Sequence, residues 1–215
     1  MQAIYASFSY MPTPRTNNCG QRILAMLARL GKGAVVTPWH LAKAGSRRAV
    51  DTALSRLVAT GKVRRVARGL YDLPRTDRFG PVWPTVDAIV TALAERDSSK
   101  TQPTGAYAAN RLGLSAQVPM RIVFLTDGLA REVSVGKLTI TLRRTTPRNM
   151  ATAGKTSGLV IQALRWLGKH QVDVETLRKL LAGLGAKARR ELVSDSRHAP
   201  EWIVRLLRTA SLRSI

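Results

Sequence analysis

The chain has 215 residues, 45% of them hydrophobic, and carries 35 Lys+Arg against 13 Asp+Glu, a formal net charge of +22 with a sequence pI near 11.6. That length suits one domain or two small ones with a real core, and no apolar run approaches the roughly 18 residues of a membrane span. A charge far beyond the magnitude of about 2 to 8 that keeps a small domain soluble points to a polyanionic partner, nucleic acid before an anionic membrane surface.

Residues 1–19 read as a flexible leader rich in Thr, Pro and Asn. They have no basic head and no continuous apolar core, so they are not a secretory signal. The one cysteine, Cys19, cannot form an internal disulfide, which fits a reducing cytoplasm.

Residues 20–75 follow a compact order. QRILAMLARL predicts a helix with Ile23, Leu24, Leu27 and Leu30 on one face, stopped by Gly31. Val35–Val36 is a short extended piece. Thr37-Pro38 gives an N-cap and a first-turn proline for a short helix over PWHLAKA, in which Trp39 is expected in the core. Ser46 caps RRAVDTALSRLVAT, which Gly61 ends. KVRRV and LYDL then form two short strands joined by Ala67-Arg68-Gly69. Helix, strand, helix, tight turn, helix, strand, strand is the order of a winged helix-turn-helix.

PRTDRFGPVWP contains Pro74, Gly80, Pro81 and Pro84, so 76–84 reads as a linker. Residues 1–82 carry 14 Lys+Arg and 3 Asp+Glu, against 21 and 10 beyond them, so the first part holds half the net charge on far fewer residues. Residues 85–215 predict helices at TVDAIVTALAERD and AYAANRLGL, a buried-type strand at RIVFLTDG, and a hairpin at REVSVGKLTITLRRT. The helices GLVIQALRWLGK, VETLRKLLAGL capped by Asp173, and EWIVRLLRTA opened by Ala199-Pro200 complete the chain. The expected fold class is α+β: an N-terminal winged helix-turn-helix, then a small mixed α/β domain with a helical C-terminus.

The candidate functional face lies in the first of these domains. Val50, Ala53, Leu54, Leu57 and Val58 form the buried stripe of the 46–60 helix. Arg47, Arg48, Thr52, Ser55 and Arg56 remain on or beside the outward face, where Arg can pair two-pronged with guanine and Ser or Thr can reach bases or backbone. Arginines in a first turn oppose the helix dipole, so Arg47 and Arg48 read as placed for a ligand. Lys62, Arg64, Arg65 and Arg68 cluster on the adjoining ribbon, which would lie along the backbone or enter the minor groove. Only 5% of residues are aromatic, too few for stacking unpaired bases, so duplex DNA is favoured.

Other motifs are discounted. NMATAGKTS, Asn149 to Ser157, lacks the first glycine and the leading strand of a phosphate-binding loop, and reads as a basic helix start. His40, His170 and His198 have no metal spacing, and Asp127 reads as a turn residue. No nucleophile, acid–base or metal signature occurs, so the expectation is a non-enzyme with no cofactor and no metal.

The block ending GKVRRVARGLYDLP, then QPTGAYAANRLGLSAQVP, RIVFLTDG and SGLVIQALRWLGK, resembles the antitoxins of abortive-infection type IV toxin–antitoxin systems, closest to a short, DUF-type branch. The likeness spans roughly residues 20–210. It implies an antitoxin whose winged helix represses its own operon by binding promoter repeats. Its second domain would neutralise a nucleotidyltransferase-like toxin without a stable complex. The alternative is an RNA- or ribosome-associated basic protein without sequence specificity.

Overall fold

The computed structural model describes residues 18–211. The leader expected over 1–19 lies outside them apart from Asn18 and Cys19. Helix α1 (Cys19–Leu30) begins with a capping box: the Asn18 side chain accepts from the Gln21 N–H at 3.0 Å, and Gln21 Oε1 accepts from the Asn18 N–H at 3.2 Å. Ile23 and Leu27 are buried, but Leu30, expected beside them, is exposed because it is the last residue before Gly31 (φ 86°) redirects the chain.

Strand β1 (Val35–Val36) follows. The short helix expected over PWHLAKA is a series of turns with one 3-10 turn at Ala42–Ala44. His40 Nδ1 stands 3.0 Å from the Thr37 backbone nitrogen and 2.9 Å from its hydroxyl, so a side chain reinforces the first turn, which the His40 N–H also closes by donating to the Thr37 carbonyl at 3.1 Å. Trp39 is 54% exposed, not core, and packs edge-on against His40.

Helix α2 (Arg47–Ala59) starts at Ser46, whose hydroxyl accepts from the Ala49 N–H at 3.3 Å, and buries Val50, Leu54 and Leu57. Strands β2 (Arg64–Ala67) and β3 (Leu70–Asp72) form a hairpin whose turn uses Gly69 at φ 74°. The sheet has the order β1-β3-β2, antiparallel throughout, with Val36 opposite Tyr71 and Arg64 opposite Asp72. Successive strand residues face opposite ways. Val36 therefore joins Ile23, Leu27, Leu41, Val50 and Leu54 in one core, while Val35 joins another with Val66 and Leu70.

That second core continues past the expected linker. Residues 76–84 largely form a hairpin, β4 (Arg75–Asp77) and β5 (Gly80–Val82), rather than an open connection. Helix α3 (Val86–Arg96), started by Thr85, sends Ile89, Val90 and Leu93 into the core that holds Val35, Val66 and Leu70. The same core takes Ile122, Phe124, Ile140 and Leu142 from a four-stranded sheet, so packing is continuous across the 76–84 stretch.

The remaining elements are β6 (Thr101–Pro103), α4 (Gly105–Arg111), β7 (Arg121–Thr126), β8 (Arg131–Val135), β9 (Leu138–Arg144), α5 (Pro147–Met150), α6 (Thr156–Leu167), α7 (Val174–Ala182), α8 (Ala186–Asp195) and α9 (Glu201–Ser211). The sheet order is β6-β7-β9-β8, with β7 and β9 parallel and the other pairs antiparallel. Val160, Ile161 and Leu164 of α6 pack with Leu177, Leu192, Ile203 and Leu207 in a C-terminal helical core. The fold is α+β. Among the described residues no helix is long and apolar enough to cross a membrane.

Candidate nucleic-acid interface

Helix α2 buries Val50, Leu54 and Leu57 on one side and exposes mainly polar residues on the other, so its outer side chains are presented as a set. Arg48, Thr52 and Arg56 recur every four residues and share a face. All three are exposed, as are Arg47 and Ser55. Arg48, Thr52 and Arg56 line an open groove of about 970 Å3 together with Lys62 and Thr60, and the start of α1 (Asn18, Cys19, Gln21, Leu24) forms its other wall. None of the residues lining this groove is acidic. Arg48, Arg56 and Lys62 have no ion-pair partner among the described residues. Arg47 is engaged by Asp51 one turn on, at 2.9 Å, with both side chains at the surface.

The ribbon divides. Arg65 and Arg68 are exposed and unpaired among the described residues. Arg64 corrects the reading that placed it on a DNA backbone. Its side chain is only 16% exposed and is bidentate on the fully buried Asp72, with Nε donating to Oδ1 at 2.9 Å and Nη2 donating to Oδ2. Nη2 also donates to the Val82 carbonyl at 2.8 Å, and the guanidinium lies 4.6 Å from the Trp83 ring centroid. The cause is register: Arg64 and Asp72 are cross-strand partners, and an acid at 0% exposure needs its cation there. The structure therefore brings Arg48, Thr52, Arg56 and Lys62 into one groove, leaves Arg47, Ser55, Arg65 and Arg68 at the surface, and turns Arg64 inward. Sequence reasoning missed Asn18 and Gln21 on the groove wall. Their Asn-x-x-Gln spacing carries the capping-box signal that would have placed the start of α1 there.

The discounted motifs have structural roles. Lys155 Nζ lies 3.1 Å from Asp195 Oδ2, and the buried Ser157 hydroxyl donates to the same oxygen at 2.6 Å. Burial pushes the Asp195 carboxyl up, but the Ser157 hydrogen bond and Lys155 outweigh it and hold the group below its usual range. Asp127 accepts from the Lys100 N–H at 2.7 Å in its turn. His40 Nε2 meets Glu95 at 2.9 Å. Among the described residues no group of three His, Cys, Asp or Glu could hold a metal ion.

Residues 22–192 match a family of unknown function (DUF6088). The chain belongs to this family. The DUF6088 match covers α2, the ribbon and the four-stranded sheet, but begins after Asn18, Cys19 and Gln21 of the groove wall and stops short of α9. No curated protein matches the chain. The crystal structure of the RV2827C protein from Mycobacterium tuberculosis is similar at 16% identity, with 89% of this chain and 80% of that one covered and a TM-score of 0.44.

Proposed function

We propose that residues 20–75 of this DUF6088 protein are a winged helix-turn-helix that binds duplex DNA upstream of its own gene and represses it. Helix α2 enters the major groove with Arg48, Thr52, Ser55 and Arg56, and the β2–β3 wing lays Arg65 and Arg68 on the phosphates. The observation that carries this reading is the stripe Arg48, Thr52, Arg56 with Lys62, in a groove free of carboxylates, on the helix that follows a tight turn. A surface kept basic only for solubility has no need to exclude acids, and Asp51, the exposed acid of α2, lies outside the groove and is paired with Arg47.

The resemblance to abortive-infection antitoxins extends the proposal: the protein is a non-catalytic, cytoplasmic antitoxin, and the second domain counters a nucleotidyltransferase-like toxin. A reporter fused to the upstream DNA tests the first part. Expression should fall when the protein is supplied and recover with Arg48→Ala and Arg56→Ala. Equal expression with and without the protein would remove the repressor. Growth rescue on co-expression with the neighbouring gene product tests the second part separately.

A further inference from the structure

A second recess lies on the four-stranded sheet and shares no lining residue with the α2 groove. It has a volume of about 540 Å3, within the roughly 300–1,000 Å3 of small-molecule pockets. Its lining includes Val123 and Leu125 as an apolar strip on β7, with Arg121 at one end of that strand. Arg143 stands on β9, and the parallel register sets it opposite Leu125, four residues along from Arg121. At a strand rise of about 3.3 Å per residue the two arginine backbones are about 13 Å apart along the sheet. Arg165 of α6 and the half-exposed Trp166 complete one wall.

Hydrogen bonds order the side chains beside Arg143. Thr145 lies two residues beyond Arg143 and accepts from Asn149 Nδ2 at 2.9 Å. Asn149 Oδ1 in turn accepts from Arg165 Nη1 at 3.0 Å, and the His198 carbonyl accepts from Arg165 Nη2 at 3.1 Å. These bonds fix the guanidinium, yet its Nε is buried with no partner. Burial, and then Arg148 nearby, disfavour its charge. Arg121 and Arg143 have no partner among the described residues, and no carboxylate lines the recess. A fixed, half-buried guanidinium in a recess that also holds the unpaired Arg121 and Arg143, and no carboxylate, leaves a positive charge that an anion would balance.

We propose that this recess binds a phosphate-bearing ligand of mononucleotide size, with the phosphate between Arg143 and Arg165 and the flat base over Val123 and Leu125 beside Trp166. The shared chemistry is the phosphate. Two sources, a nucleotide and a free oligophosphate, are separated by the test.

Calorimetry on the full chain at 150 mM salt, with ATP, GTP, CTP, UTP, pyrophosphate and the unphosphorylated nucleosides as probes, decides it. At least one nucleotide should bind more tightly than pyrophosphate, and the nucleosides should bind far more weakly. Arg143→Ala should weaken that nucleotide by at least about tenfold, the scale of one charge-assisted hydrogen bond. Arg189→Ala, which removes an exposed charge on α8, should leave binding unchanged, and melting curves of both variants should match the parent. Pyrophosphate binding as tightly as every nucleotide would overturn the nucleotide assignment. Equal losses in Arg143→Ala and Arg189→Ala, or no binding of any probe, would overturn the site. With a DNA duplex titrated as a further probe, a loss in Arg143→Ala confined to that duplex would assign the recess to nucleic acid and overturn it equally.

Discussion

Arg64 and Asp72 face one another across the β2–β3 hairpin, and the bidentate pair they form is sealed by Val82 and Trp83. The pair ties the β2–β3 hairpin to β5, so one of the most conspicuous cations of the basic stretch is an internal strut. Its removal should therefore be read in stability. Arg64→Ala strands a buried carboxylate and should cost about 3–5 kcal/mol. Replacing both partners with apolar residues of similar volume should recover most of that loss. Chemical denaturation of the two variants checks this, and an unchanged midpoint for Arg64→Ala would contradict it.

The basic residues of the proposed DNA face should divide by role. Arg48→Ala should cost about 1–3 kcal/mol of binding and relax the preference at one base pair. Arg65→Ala should weaken all duplexes alike and reduce the log–log salt slope by about one. Competition binding against a set of single-base variants separates the two behaviours.

The Lys155–Asp195–Ser157 cluster joins the start of α6 to the end of α8. Because the folded state holds Asp195 below its usual range, the cluster contributes stability above the unfolded carboxylate value of about 3.9 and loses it as pH falls through the folded value. Asp195→Asn should lower the melting temperature at pH 7, and the difference from the parent should shrink on acidification below pH 4. A difference that is constant across that range would contradict the assignment.

Gly158 sits in α6 where a Cβ would overlap the Thr152 carbonyl and Gln102 Oε1. Backbone cannot yield as a flexible side chain does, so Gly158→Ala should destabilise by about 1–3 kcal/mol or more. Thermal melts at neutral pH measure it.

Much of the N-terminal unit was legible. The helix of Val50, Leu54 and Leu57 announces itself by period, Ser46 by its cap, and the β2–β3 hairpin by Gly69 between two apolar pairs. The fate of Arg64 was not, because it depends on which residue the hairpin register sets opposite it, and on Asp72 being sealed by Val82 and Trp83 from outside the motif. The linker reading of 76–84 failed because Pro and Gly mark a hairpin turn as readily as a loose connection, and β4–β5 has few apolar residues to reveal it. Helix α8 was missed for the same reason: AKARRELVSD buries Leu192 and little else that is apolar. The recess on the sheet was invisible because the parallel pairing of β7 with β9, and the approach of Arg165 from α6, are long-range.

The central claim, sequence-specific duplex binding by the α2 face, is tested most directly by fluorescence anisotropy. The DNA upstream of the gene and a scrambled duplex would be titrated across a salt series with the parent protein and Arg48→Ala. Five unpaired cations, Arg48, Arg56, Lys62, Arg65 and Arg68, predict a log–log slope of about −4 to −5. The account predicts a preference for the upstream DNA that survives at physiological salt and shrinks in Arg48→Ala. Equal affinity for both duplexes, fading together as salt rises and indifferent to Arg48, would contradict it.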